Sequence, residues 1–311
     1  MTKQTGKPDY MENSGKQDSD TKKEKNYENE GKKRIDELRD IYSKGRDEEK
    51  LAKILFYGSW GTYKTSYAMS MPRDILLMSF DPGGEKIFHV QKGVDDGSIV
   101  VDNRWASRTM EDSKEKFKGW NDEYNKMKQQ GVFEEVNTLV IDSLTTFQRF
   151  VIDATIESNN KNKKMSKYMP FKVPQMRDYN VQHSAIEFVV SDMLDLPCHV
   201  VIIAHSEEGQ DDDTNLFYCR PLIIGAKLRE RLPMLFDEIY ISRQKGNSTE
   251  LLTAPKNVYK ARSRLRKLSK GIEDSYKLDE PSSFSFSRDI LLPAGYCTEE
   301  EVVTLESFPE D

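Results

Sequence analysis

Six short apolar runs, AKILFY, DILLMSF, SIVV, TLVID, HVVIIA and DEIYIS, punctuate the chain between Ala52 and Ser242. Each has room for a strand of about 4 to 7 residues and is apolar almost throughout, the mark of strands buried on both faces of a sheet. Amphipathic stretches separate them. One carries Phe117, Trp120, Tyr124 and Met127 at helical spacing, and another carries Val181, Ala185, Phe188 and Val189. Strands alternating with helices predict a mostly parallel α/β sheet, with ligands held beyond the carboxyl ends of its strands.

Outside this region the texture is polar. Charged residues make up 32% of the chain, and residues 1–50 read as a solvated arm closed by one short helix carrying Ile35, Leu38, Ile41 and Tyr42. After about residue 265 the Ser-rich run EPSSFSFSRD and the acidic TEEEVVTLESFPED predict a tail, 266–311, with one closing helix at most. No run approaches the roughly 18 apolar residues of a membrane span, and the N-terminal stretch lacks a signal-peptide centre, which points to a cytoplasmic protein without a membrane partner. Cys198, Cys219 and Cys297 have no C-x-x-C spacing, and the four histidines show no metal-ligand spacing.

Between the first strand and the first helix lies GSWGTYKTS, residues 58–66. It follows the phosphate-loop pattern G-x-x-x-x-G-K-[ST] except that Tyr63 stands at the second glycine. Backbone N–H groups of Gly58, Ser59, Trp60, Gly61, Thr62, Tyr63 and Ser66 would cradle phosphate oxygens, Lys64 would reach the β and γ phosphates of ATP, and Thr65 would ligate Mg²⁺. A Cβ at Tyr63 threatens to crowd the phosphates, and the opposing reading is a loop that has lost its nucleotide and serves as a structural turn.

Asp142 ends the strand TLVID, about 80 residues after the loop, where its carboxylate would hold Mg²⁺ through water beside Thr65. Asp81 ends another strand and Glu85 follows four residues on. Either acid would serve as general base for an attacking water, while Asp81 also suits an N-cap or a glycine turn. His205, at the end of HVVIIAH, suits a sensor of the γ-phosphate or a plain cap.

The order of these motifs resembles the RecA superfamily. TLVIDSLTTF, VVIIAHSEEG and GAKLRERLPMLFDEIYIS resemble more closely the phage-encoded RecA-like ATPases often called phage nucleotide-binding proteins, which include single-strand annealing proteins. The resemblance spans about residues 50–265. It implies a RecA-like P-loop NTPase core at 51–265, with a mostly parallel central sheet, flanked by the charged arm and the short C-terminal extension. It also places 157–179 along a DNA path. That stretch holds Lys161, Lys163, Lys164, Lys167, Lys172 and Arg177 interleaved with Tyr168 and Phe171, a composition suited to neutralising phosphates and stacking on bases. A second loop, SEEGQDDDTNLFYCRPLIIGAK, begins acidic and offers DNA only Arg220 and Lys227. The basic stretch TAPKNVYKARSRLRKLSK contains Lys260-Ala-Arg262, similar to the pair that in RecA-like filaments reaches a neighbour's γ-phosphate. The whole stretch alternatively forms a DNA-backbone patch.

The implied activity is ATP- and Mg²⁺-dependent binding of single-stranded DNA by a homo-oligomer, ring or filament, in phage recombination, with a single-strand-binding or replication protein as a further partner. The competing expectations are a DNA-binding module without ATP turnover and a helicase-loading or packaging motor.

Overall fold

A computed structural model describes residues 30–40, 50–108, 112–159, 176–212 and 214–307, with 156–159 and 176–179 described for backbone alone. Two compact units are present, Met1–Lys50 and Leu51–Asp311. In the first, residues 30–40 form a helix with Ile35 and Leu38 exposed on it; Ile41 and Tyr42 lie outside the described residues.

The second unit is built on a ten-stranded sheet in the order β10-β8-β7-β1-β5-β4-β2-β3, with β6 paired to β5 and β9 to β7. The six apolar runs become β1 (Lys53–Gly58), β2 (Ile75–Ser79), β3 (Ile99–Asp102), β4 (Thr138–Asp142), β5 (His199–Gln210) and β7 (Glu238–Lys245). All six are parallel to their neighbours within this set. β8 (Ser248–Leu252) and β10 (Ser275–Lys277) continue the β7 edge antiparallel, and β9 is the short Arg262–Ser263.

Strand alternation divides the apolar side chains between two cores. Leu55 and Tyr57 of β1, Leu76 and Met78 of β2, Leu139 and Ile141 of β4 and Val200 and Ile202 of β5 face one of them. Trp120 and Tyr124 from the helix Ser113–Gln129, Phe147 and Phe150 from Leu144–Asn159, and Ile186 and Val190 from Met176–Leu194 cover that face. The intervening residues Ile54, Phe56, Ile75, Leu77, Val140, Val201 and Ile203 form the other core.

Cover for this second core corrects the sequence reading. Only two short helices, Lys64–Ala68 and Phe88–Asp95, reach it from the first hundred residues. Leu265 and Ile272 add to it, and much of the remainder comes from 278–305, expected as part of a Ser-rich and acidic tail: Phe284, Phe286, Ile290 and Leu291 are fully buried, and Leu278 and Leu305 nearly so. Phe286 meets the rings of Phe56 at 5.3 Å, Phe284 at 5.0 Å and Tyr240 at 5.6 Å. Of the serines that make this run look hydrophilic, Ser285 and Ser287 are buried as well, and backbone groups here are satisfied by serines of the run and by Ser70. Ser285 Oγ donates to Val303 O at 2.5 Å, and Ser70 Oγ accepts the Phe286 N–H at 2.8 Å.

A second correction concerns the acidic loop after His205. β5 runs on beyond the sheet to Gln210 and pairs antiparallel with β6 (Phe217–Pro221), so the segment is a hairpin. Arg220 is engaged within it, bonded to Glu207 at 3.1 Å and lying 4.0 Å over the Tyr218 ring.

Phe286→Ala is predicted to destabilise the protein by about 3–5 kcal/mol, the usual cost of deleting a fully buried ring. Urea unfolding checks it. A solvated tail would show a change below about 0.5 kcal/mol instead.

Candidate nucleotide site

β1 delivers the loop to the sheet's carboxyl edge with β5 on one side and β7 on the other. Its last residue, Gly58, is in register with His205 and with Ser242. A Cβ at Gly58 would lie 2.1 Å from Ser242 O, so glycine is required there by the approach of β7 alone. Gly61 (φ 72°) and Tyr63 (φ 57°) both take the left-handed region. This answers the problem of residue 63: the loop needs a left-handed backbone at that position, and tyrosine adopts it at a local cost of about 1–2 kcal/mol. The remaining links hold the loop's shape. Thr62 Oγ1 lies 2.8 Å from Ser59 O and 2.7 Å from Ser242 Oγ.

Lys64 opens the helix Lys64–Ala68 and is buried, with Nζ donating to Ser59 O at 2.6 Å across the loop. Burial lowers its pKa to about 8, against the pull of Asp142 and Asp81. Thr65 Oγ1 donates to Asp142 Oδ2 at 2.5 Å, which brings the two proposed Mg²⁺ residues together although 77 positions separate them. Ser66 is buried behind them, while Trp60 at the loop's tip is 85% exposed.

The acids differ in state. Asp142 is buried, and desolvation lifts its pKa to about 6, with the Asp81 charge adding to the rise and the Thr65 hydrogen bond opposing it. Asp81, two residues past β2, would also be raised by burial, but hydrogen bonds from His205, Thr146 and Ser143 together with the His205 charge bring it below its ordinary value. Its Oδ1 accepts from Thr146 Oγ1, and its Oδ2 lies 3.3 Å from His205 Nε2. Thr145 Oγ1 accepts the His205 N–H at 3.0 Å, fixing the end of β5 against the start of the helix Leu144–Asn159. Glu85 sits in the single turn Gly84–Lys86, and its Oε2 is buried without a hydrogen-bond partner among the described residues. Gly84 beside it is close-packed: a Cβ there would lie 2.7 Å from Ser79 Oγ and 3.8 Å from Asp142 Oδ2.

Loop, Lys64, Thr65, Asp81, Asp142 and His205 thus meet at one edge. Ser242, Thr146 and Glu208 join them without having been singled out in the sequence. Ser59 Oγ donates to Glu208 Oε1 at 3.0 Å, tying the hairpin to the loop. Nothing local marks Glu208 or Ser242, since strand register alone carries them there.

Other residues are not brought to this edge. Arg262 pairs with Ile239 near the start of β7, some 10 Å along the strand from Ser242. Its Nη2 donates to Phe236 O at 2.5 Å and Pro233 O at 3.3 Å. Lys260 is exposed nearby in sequence, and Lys227 is exposed on the helix Ala226–Arg231. The basic stretch, free of acids in sequence, finds them in space: Lys256 bonds Glu250 at 3.1 Å, Arg264 bonds Asp237 at 2.6 Å and Arg266 bonds Asp274 at 2.7 Å. That pairing weakens its reading as a DNA-backbone patch. Lys161, Lys163, Lys164, Lys167, Tyr168, Phe171 and Lys172 lie outside the described residues, as does the side chain of Arg177.

The donor set fits a nucleotide with Mg²⁺. Lys64 supplies the cation, and the Thr65 hydroxyl with the Asp142 carboxylate is the hard oxygen pair Mg²⁺ prefers. Bound there, the metal would neutralise charge on the phosphate oxygens.

Asp142 also sets a pH dependence. Its folded pKa, about 6, exceeds the unfolded value of 3.8, so between those values the folded chain holds a proton that the unfolded chain has lost. The group's contribution to stability therefore grows as pH falls through that window and is unfavourable above about pH 6. Without nucleotide or metal, Asp142→Asn should raise stability at about pH 8 by roughly 1–3 kcal/mol, with the gain shrinking towards about pH 4. Urea unfolding at both pH values checks the sign, and an equal effect at each would contradict it.

Comparison with known proteins agrees with this geometry. No curated protein matches the chain. A family model for an AAA domain matches residues 50–265, a span that holds the loop, both acidic strand ends and His205. The chain belongs to the AAA domain family, with a P-loop ATPase-like domain at residues 50–265.

Proposed function

We propose that the protein is a RecA-like ATPase that couples ATP binding and hydrolysis to single-stranded DNA as a homo-oligomer, in recombination of the phage type. The observation that carries the ATPase part is the Thr65–Asp142 contact of 2.5 Å beside a buried Lys64. Three groups from two distant segments converge there as phosphoryl chemistry requires. Among the acids, Asp81 is committed to Thr146 and His205, whereas Glu85 retains a buried oxygen with no donor among the described residues. Glu85 is accordingly the general base in this proposal, and Asp81 with His205 forms the link from the phosphate site to β5 and its hairpin.

DNA binding is assigned to the lysine- and aromatic-rich 161–177 on its composition and its place after the Asp142 helix. The ion pairs of Lys256, Arg264 and Arg266 leave that stretch as the better candidate. Residues 1–50 serve as a charged arm outside the ATPase core, available to a replication or single-strand-binding protein.

A second reading, a nucleotide-gated DNA-binding module without turnover, draws on the engagement of both Asp81 oxygens. Steady-state ATP hydrolysis separates the two. The ATPase reading expects turnover that DNA stimulates, that rises faster than linearly with protein concentration, and that falls at least about 100-fold in Lys64→Ala and Glu85→Gln. DNA binding with no turnover in the wild type would leave the gated module.

A further inference from the structure

A cavity of about 480 Å³ opens beside the phosphate loop on the β7 side of β1. Tyr63 lines it together with Gln244, Asn247 and Thr249 from the β7–β8 hairpin and Leu278 and Asp279 from the C-terminal segment. Its walls are anchored: the Leu278 N–H donates to Thr249 O at 2.7 Å, and Tyr67 OH donates to Glu280 O at 2.9 Å. Among the described residues the lining contains no lysine or arginine and includes one carboxylate. Phosphate is therefore unwelcome here, although the cavity begins at the residue preceding Lys64.

An uncharged, flat, hydroxyl-bearing ligand matches what the lining offers. Tyrosine supplies a face for stacking, two side-chain amides supply paired donors and acceptors, and a carboxylate accepts from hydroxyls. We propose that this cavity takes the nucleoside end of the bound nucleotide, the Tyr63 ring stacking on the base, the Gln244 and Asn247 amides reading its edge, and Asp279 accepting from the ribose. The assignment rests on the nucleotide reading of the phosphate loop. It gives the departure from the motif glycine a use: the left-handed position that glycine ordinarily fills here carries a base platform one residue from the phosphate-binding lysine.

The test is calorimetric titration of the full chain with Mg-ATP, Mg-CTP and Mg-tripolyphosphate, the last having phosphates and no nucleoside. The proposal expects wild type to favour ATP over tripolyphosphate by at least about tenfold, a ratio that drops about tenfold in Tyr63→Gly and survives in Tyr63→Phe. Taking the ratio cancels any change in the phosphate grip that Tyr63→Gly brings. Asn247→Ala, at the exposed hairpin tip, is expected to narrow the ATP-to-CTP preference several-fold. A ratio unaltered in both Tyr63→Gly and Asn247→Ala, or equal binding of ATP and tripolyphosphate by wild type, overturns the assignment. Wild type that binds neither, or binds both as Lys64→Ala does, overturns the phosphate-loop reading and this assignment with it.

Discussion

The close approach of β7 to the end of β1 governs the geometry around it. Where the Gly58 Cβ would be, the Ser242 carbonyl already lies, so the chain must leave β1 without a side chain and turn at once. That turn is held by Thr62 against Ser242 and Ser59, and it requires left-handed backbone at Gly61 and Tyr63. Only after those constraints are met does Lys64 begin its helix with its amine over the loop. On the other flank, β5 lies between β1 and β4. The contact between Thr65 and Asp142 therefore spans an intervening strand, and the gap so bridged is the natural seat for a ligand.

Electrostatics and packing oppose each other at this edge. Two carboxylates stand at the carboxyl edge of the neighbouring strands β2 and β4, Asp81 two residues past β2 and Asp142 at the end of β4, the first drawn below its ordinary pKa by donors and the second pushed to about 6 by burial. Carboxylates driven apart in this way take different roles. Asp81 is held as an ion by His205, Thr146 and Ser143, whereas Asp142 is an anion kept from water with little beyond Thr65 and Lys64 to offset the desolvation. A site of this kind stores its cost in the apo protein and recovers it when a cation arrives, so the functional edge is also the place where the fold is least comfortable.

Much of this was legible because it is written in local pattern. The six apolar runs became parallel strands, since continuous apolar stretches of that length have few other homes, but the run expected at 98–101 forms the edge strand β3 and leaves Val100 exposed rather than covered on both faces; the loop, Asp142 and Asp81 were marked by position relative to those strands. Tyr63 was legible as an anomaly but not as a conformation, because φ cannot be read from a letter. Phe284 and Phe286 were missed because two aromatic residues among serines look solvated until the buried backbone groups that the serines satisfy are known. Glu208, Ser242 and the carboxylates facing Lys256, Arg264 and Arg266 were missed for a different reason. Glu208, Ser242 and Asp237 reach partners 149, 180 and 27 positions away through strand pairing or chain reversal, which no local pattern records, while Glu250 and Asp274 lie near Lys256 and Arg266 in sequence but just outside the acid-free run.

The dependence of the second core on 278–305 has a consequence for synthesis. The phosphate loop and the helix after it are made early, yet Tyr67 and Ser70 wait for partners 213 and 216 positions later. At a translation rate of about 5–20 residues per second, that interval is roughly 10–40 s. Throughout it Ile54 and Phe56 of β1 and Tyr67 of the helix Lys64–Ala68 lack the part of their cover that 278–305 supplies, and that apolar surface is open to chaperones or to neighbouring chains on the same polysome. The last stretch of the core thus acts as a timer, because a chain released before Phe286 emerges carries the whole phosphate loop on a sheet it cannot close.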